Sequence, residues 1–340
     1  MVRYRQSPGT RTFAAVAIIL CAGVAACGGG GDGGGDDPGA VESYPDRPIS
    51  IVTWVTPGSP TDMLARAIAR AGADHFGQTI QVLNRPGGSG AVAMSYLVSR
   101  PADGYTLGIM TSSGAITMAA GQIPFEPEQF TYVQRLQLDP LLIAVRDESP
   151  FTDLPELYDF ARQNPGEISI AGFGTTSIHF LSFSTLREAA GSPDIQWIAY
   201  DGSSDAAVAV LGGHVNATDN NYSVVREHVR AGSMRVLGVS SPLAELPDVP
   251  TYREQGYDAD DVHWRGVMGP AGMDPAIVAK VDSLLRVTVD TPEFARFMAD
   301  SGNEYGLMES PAVFDAWVHE QVRSSRLRLR ELGVLGEPTQ

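Results

Sequence analysis

The first pattern along the chain is a short apolar run, ISIVTWV (Ile49–Val55), that reads as a strand. Met63–Phe76 follows with helical spacing, placing Leu64, Ile68 and Phe76 broadly on one face. TIQVLN (Thr79–Asn84) is again strand-like, RPGGSGAV leads into a helix through Met94, Leu97 and Val98, and YTLGIMTSS is a third strand after the turn ADG. A βαβαβ order predicts a parallel sheet with crossover helices. The alternation then restarts. PLLIAVR (Pro140–Arg146), EISIAGFG (Glu167–Gly174), DIQWIAY, HVNATDN and MRVLGVSS read as strands. Between them lie helices at Leu154–Asn164, Ser177–Ala190, Asp205–Leu211 and Tyr222–Arg230. This is a second α/β set, so the expected fold class is α/β with two lobes. Toward the C-terminus three helix starts recur, Asp274-Pro275, Thr291-Pro292 and Ser310-Pro311, each a cap residue before a proline at the first helical position.

The N-terminus has a different pattern. Arg3, Arg5 and Arg11 precede an apolar stretch, Phe13–Ala26, of 14 residues. A spanning helix needs ~20 apolar residues, so a basic start with a short apolar core reads as a secretory signal. The stretch ends VAAC (Val24–Cys27), which resembles the lipobox of bacterial lipoproteins and implies lipidation at Cys27; an ordinary cleaved signal with an incidental cysteine is the alternative. The predicted divisions are a signal over 1–27 and a tether over 28–43, whose GGGGDGGGDDPG buries nothing. The remaining body of roughly 300 residues is comfortable for two lobes.

Composition narrows the chemistry. Cys21 and Cys27 are the only cysteines and both lie in the leader, so the mature chain has no internal disulfide, thiol nucleophile or Cys-containing metal site. Removing the three leader arginines takes the formal charge from −16 to −19. That argues against nucleic acid as a partner, because phosphate neutralisation needs basic patches. Lys280 is the only lysine and lies in VAKVDSL, so no P-loop GxxxxGK exists.

Candidate binding chemistry sits in the turns after strands. In TPGSPTD (Thr56–Asp62), Ser59 suits the N-cap, Pro60 the first helical position and Asp62 the third, a variant capping box. A well-capped turn with nothing bound accounts for these residues. The same geometry also suits an anion, since a helix N-terminus presents unpaired N–H groups and the positive end of a dipole, and Gly58 permits close approach. GFGTTSIH (Gly172–His179) has the same shape, with Gly174, Thr175, Thr176 and Ser177 at its turn. TSSG offers Thr111, Ser112 and Ser113. Small polar residues at the C-terminal ends of parallel strands point to a ligand held between two lobes. His179, in a first helical turn, is expected neutral, as a ligand contact or as a packing histidine.

These turns carry a resemblance. YPDRPISIV with PG and TD downstream, NRPGGSGAVA, ADGYTLGIMTSSG, GFGTTSIH, LPDVPTYREQGY and WRGVMGPAGM resemble, in order, signatures of the solute-binding proteins of tripartite tricarboxylate transporters, the Bug receptor family. The resemblance covers nearly the whole body. It implies a two-lobed periplasmic-binding-protein fold, each lobe a sheet flanked by helices and joined by crossing strands, with a carboxylate in the cleft. It places the C-terminal helices on lobe one, giving 44–144 plus 241–340 as lobe one and 145–240 as lobe two. It implies a ligand set of Gly58, Ser59, Thr61, Asp62, Thr111, Ser112, Ser113, Gly174, Thr175, Thr176, Ser177, His179, Tyr200 and Asp219, with no cofactor and no metal. The implied partners are a small carboxylate and transporter membrane subunits, for a monomer touching the membrane through its N-terminal lipid alone and lying on the extracytoplasmic face. Two departures from the family pattern stand out. Ser59 and Pro60 replace a glycine and remove one N–H donor, so the grip would draw on Ser59 Oγ. Asp201 stands where many relatives have lysine, and an acid there disfavours extra negative charge if it faces the cleft.

Other functions are weaker. GFGTTS opens like a dinucleotide fingerprint, but serine replaces the third glycine, and Asp201 is 27 residues beyond Gly174 against ~20 for the fingerprint. A nicotinamide-dependent enzyme is therefore disfavoured. No G-x-S-x-G or HExxH occurs, which argues against a hydrolase and leaves no catalytic residue to name. A ligand-sensing lipoprotein feeding a membrane kinase would use the same binding site as a transport receptor.

Overall fold

A computed structural model describes residues 42–336. The predicted signal peptide, the lipidation site Cys27 and nearly all of the tether lie outside the described residues. Among the described residues ten strands form one curled sheet in the order β2 (Ile80–Asn84), β1 (Ile49–Thr53), β3 (Thr106–Thr111), β9 (Val262–Pro270), β4 (Phe130–Arg146), β7 (Ala217–Asn221), β5 (Ile168–Phe173), β6 (Ile195–Tyr200), with β8 (Met234–Val239) and β10 (Glu304–Tyr305) each paired to β4.

The first half of the sheet begins with β1 (Ile49–Thr53), β2 (Ile80–Asn84) and β3 (Thr106–Thr111), mutually parallel as the βαβαβ pattern predicts. Helices α1 (Pro60–Phe76), α2 (Ala91–Val98) and α3 (Ser112–Ala119) follow them. The second half has β5 (Ile168–Phe173), β6 (Ile195–Tyr200) and β7 (Ala217–Asn221), also parallel. Around them are α4 (Leu154–Gln163), α5 (Ile178–Ala189), α6 (Ser203–Leu211) and α7 (Tyr222–Arg230), followed by β8 (Met234–Val239).

The halves are joined by a strand much longer than the sequence suggests. β4 runs from Phe130 to Arg146, whereas the apolar pattern predicts only its last seven residues. Proline is tolerated at strand starts and irregularities, which makes Pro140 look like a beginning. It is instead the handover point. Phe130–Pro140 pairs with β9 (Val262–Pro270), and Leu141–Val145 pairs with β7. β9 itself, unassigned from the pattern, is antiparallel to both β3 and β4. The tail of the predicted third strand is corrected too: after Thr111 the chain is helical, because Thr111 Oγ1 accepts from the Gly114 N–H at 3.1 Å and starts α3.

The three Pro-marked helices form as expected: α8 (Pro275–Val289), α9 (Pro292–Ser301) and, after the short strand β10 (Glu304–Tyr305), α10 (Pro311–Glu331). Asp274, Thr291 and Ser310 each accept a first-turn N–H. All three pack on the first half. Leu64, Ile68, Val281, Leu285 and Phe294 form a core on one face, and Met94, Ile116, Phe314 and Val318 fill the other. The second half is likewise covered on both faces, by Leu157, Ile170 and Leu186 on one side and Ala206, Val210 and Val225 on the other. Burial on both faces explains the continuous apolar run PLLIAV in β4.

Candidate ligand-binding site

The loop before α1 holds itself together differently from the predicted capping box. Ser59 occupies the N-cap position, but its hydroxyl makes no cap; Ser59 Oγ donates to the Thr56 carbonyl at 2.9 Å. Asp62 reaches past Ser59 and accepts from the Gly58 N–H at 2.8 Å. The same carboxylate accepts from Arg66 Nε and from Asn84 Nδ2, each at 2.8 Å. Burial would raise the Asp62 carboxyl, but the bonds from Arg66, Gly58 and Asn84 outweigh it and hold the group below its usual range. Asp62 thus ties the loop to its own helix and to β2. Gly58 sits at φ +84, a conformation that favours glycine. With Gly58 N–H occupied and Pro60 lacking one, the amides left to the loop are Thr61 and Asp62, at the second and third helical positions where no carbonyl four residues back exists.

A cavity of about 670 Å³ opens on this loop. Gly58, Ser59, Thr61, Ser113 and His179 line it, together with residues the sequence reading did not choose: Trp54, Phe173, Asp201 to Ser204, Asn221, Ser223, Val224, His263 and Arg265. A second cavity, of about 370 Å³, is lined by Gly174, Thr175, Thr176, Ser177 and Tyr200. The two share Trp54, Phe173 and Asp201 as walls. Among the remaining candidates, Thr111 is buried and serves as a cap, and Ser112 lines a different cavity beside Trp264 and Asp261. Asp219 is fully buried on β7 and lines none of these cavities; burial drives its carboxyl well above the usual range.

The second loop is locked from several sides. Ser177 caps α5, accepting from Phe180 N–H and donating to the Phe173 carbonyl. Trp197 Nε1 donates to the Gly174 carbonyl at 2.8 Å, and Gly172 is required because a Cβ there would lie 2.2 Å from the Trp197 ring. Thr176 Oγ1 donates to Gln122 Oε1 at 3.0 Å, a bond from one half of the sheet to the other.

Thr111, Asp153, Ser177, Asp274, Thr291 and Ser310 cap their helices with side chains. Of the helices that begin at the larger cavity, α3 and α5 are capped in this way, whereas α1 after Ser59, α6 after Gly202 and α7 after Asn221 lack a side-chain cap. Three dipole ends therefore face one cavity with first-turn amides free of side-chain acceptors. The remaining uncapped helix, α2, is entered through a 3₁₀ turn at Gly88–Gly90.

Arg265 on β9 lines the same cavity although it is only 1% exposed. Its Nη1 pairs with Asp139 Oδ2 at 3.0 Å and its Nε donates to Thr61 Oγ1 at 3.3 Å, leaving Nη2 unengaged among the described residues. Asp139 is raised by burial, with Arg265 pulling it back. Beside this pair, His179 Nε2 and His263 Nδ1 both donate to Asn221 Oδ1, at 3.0 and 3.4 Å, since a carbonyl oxygen only accepts. Burial, aided by Arg265, depresses His179 to about 4 and His263 well below its usual value. Both rings are neutral at physiological pH. Asn221 Nδ2 is buried without a partner.

Sequence signals for the missed residues existed. Arg265 is a lone charge inside the apolar run VHWRGVMGP, and such a charge is buried only when paired or used. Asn221 ends a strand one residue beyond the predicted HVNATDN, at the start of a helix.

A curled sheet clad in helices, with helix N-termini opening on a cavity between its halves, defines a solute-binding receptor. The chain belongs to the tripartite tricarboxylate transporter family receptors, with residues 64–333 matching that family. It is similar to Protein BugT of Bordetella pertussis, 30% identical over 303 residues, covering 86% of this chain and 89% of BugT. Among solved structures, it resembles malate-bound MatC of Rhodopseudomonas palustris (25% identity, TM-score 0.72, covering 83% of this chain and 99% of the other). A second R. palustris protein, solved with adipate, matches at 27% identity and TM-score 0.74, covering 85% and 98%. The family is one of receptors rather than enzymes. Among the described residues no group of His, Cys, Asp or Glu could hold a metal, and no helix is long and apolar enough to cross a membrane.

Proposed function

We propose that this chain is an exported, lipid-anchored receptor that closes on a small carboxylate and delivers it to the membrane subunits of a tripartite tricarboxylate-type transporter. The observation that carries the reading is the meeting of three helix N-termini without side-chain caps at one cavity that also contains Arg265. Local dipoles and one guanidinium suit an anion there despite the formal charge of the chain, −16 with its leader. The malate and adipate of the two R. palustris structures support a carboxylate as the ligand class.

In this reading the lobes are 44–144 plus 241–340 and 145–240. The handover of β4 from β9 to β7 at Pro140–Leu141 supports that division, with β4 as a crossing strand. One carboxylate sits against the amides of α1, α6 and α7, with Ser113, His179 and Asn221 beside it. The Gly174–Ser177 loop and Tyr200 approach from the adjoining cavity. Asp62 acts by ordering the first loop, and Cys27 carries the lipid. Closure is a population shift, because the ligand touches both lobes only when they are shut.

Calorimetry of the mature chain against mono-, di- and tricarboxylates tests the reading. Binding of at least one, lost in Arg265→Ala while the fold survives by circular dichroism, is the expected result; a folded sample that binds none would refute it. Mass spectrometry of the mature N-terminus tests lipidation at Cys27.

A further inference from the structure

Both cavities are lined by hydrogen-bond donors, but the charge on their walls is uneven. Around the first loop the walls are donors: first-turn amides of α1 and α7, and Arg265, while α6 begins beside Asp201. At the junction with the second cavity stands Asp201, exposed and lining both. No hydrogen bond or ion pair engages Asp201 among the described residues. It could have been absorbed by the helix it precedes, as acids before a helix often are. Yet α6 starts at Gly202 with no side-chain cap, and the acid in its first turn is Asp205. The Asp201 carboxylate is therefore not spent on structure.

Charge makes the asymmetry sharper. Among the described residues Arg265 is the only cationic side chain lining either cavity, and Asp139 pairs with it at 3.0 Å. His179 and His263 are neutral. The formal charge left on the walls is that of Asp201, negative, beside the aromatic rings of Trp54 and Phe173, which border both cavities. A ligand with a carboxylate at each end would set its second charge against Asp201 with no cation nearby to relieve it. A ligand with a protonated nitrogen at that end meets an opposite charge, and rings whose faces favour cations.

We propose that the physiological ligand is a zwitterion, with one carboxylate seated at the helix N-termini and a protonated amine at Asp201, which is the residue that selects it over dicarboxylates. This deepens the carboxylate-receptor reading and rests on it. Asp201 supplies attraction to the amine and repulsion toward a second acid, and specificity is the difference between the two.

The test uses matched probes: ω-amino acids, α,ω-dicarboxylates and simple monocarboxylates of equal methylene count, titrated by calorimetry into the mature protein and its Asp201→Asn and Asp201→Lys variants. Asp201 is exposed and unpartnered, so both variants should fold, which circular dichroism checks. In the parent protein the ω-amino acid should bind about tenfold or more tighter than its dicarboxylate partner. Asp201→Asn should collapse that ratio toward one, and Asp201→Lys should reverse it. A parent protein that binds the dicarboxylate as tightly or more tightly, or a ratio unmoved by either variant, overturns the zwitterion and leaves the carboxylate receptor standing. No binding of any probe by folded parent protein overturns both.

Discussion

His179 and Arg265 carry the consequences that belong to single residues. His179 is held near 4 in the fold, against about 6.5 in the unfolded chain. The unfolded chain thus binds more protons between those values, so this contribution is complete above about pH 6.5 and is lost as pH falls toward 4. Over that window it amounts to roughly 3 kcal/mol. Asp219, raised by burial, has the opposite sign and favours the fold as pH falls, so the wild-type curve alone mixes the two. The stability difference between wild type and His179→Gln isolates the histidine: it should shrink steadily from pH 6.5 to 4.5 in urea titrations, and a constant difference would contradict the assignment. The Arg265–Asp139 pair gives a second expectation. Asp139→Ala leaves a buried guanidinium without its counter-charge and should cost about 3–5 kcal/mol. Replacing both by apolar residues of similar volume should recover most of that in stability while abolishing carboxylate binding. If the double variant still binds, Arg265 is not part of the grip.

Among elements, the ten described helices differ mainly in how they begin. Thr291→Ala and Ser310→Ala should each cost about 1 kcal/mol, because each removes a bond to a first-turn amide. Ser59→Ala should cost under about 0.5 kcal/mol, since its hydroxyl turns back to the Thr56 carbonyl instead of capping. Equal losses at the three positions would mean that α1 is capped after all. Asp62 governs the loop instead. Asp62→Ala frees the Gly58 N–H, Arg66 and Asn84 together, and should weaken ligand binding about tenfold or more while lowering the melting temperature. Unchanged affinity would make the tie a bystander. The loop also shows why its role was only partly legible: S-P-T-D has the spacing of a capping box, but whether the acid bonds to Ser59 or one residue further back depends on the turn that Gly58 permits and on Asn84 arriving from β2.

For the whole molecule, the question is what moves. The two halves of the sheet are continuous through β4, and they also touch through Thr176–Gln122 and through Arg328 of α10, which pairs with Glu188 of α5 at 2.6 Å. If closure is a hinge at the β4 handover near Pro140, saturating ligand should lower the radius of gyration measured by small-angle X-ray scattering. An unchanged radius on saturation would point to a site that is already shut without ligand.

The residues alone determined the alternation of strands and helices in each half apart from β9 and the start of β4, the parallel pairing of β1 to β3, the helix starts at Asp274, Thr291 and Ser310, and the family likeness that singled out TPGSPTD and GFGTTSIH. Those features are local: periodicity, proline placement and cap chemistry act over a few neighbouring positions. Tertiary structure decided what depends on distant segments meeting. It ran β4 through Pro140, because only pairing with β9 on one side and β7 on the other shows that the strand continues. It brought Arg265, 126 residues from Asp139, into a buried pair at the cavity. It also left Asp219 buried and off both cavities, since the face a strand residue presents is fixed by the sheet it joins.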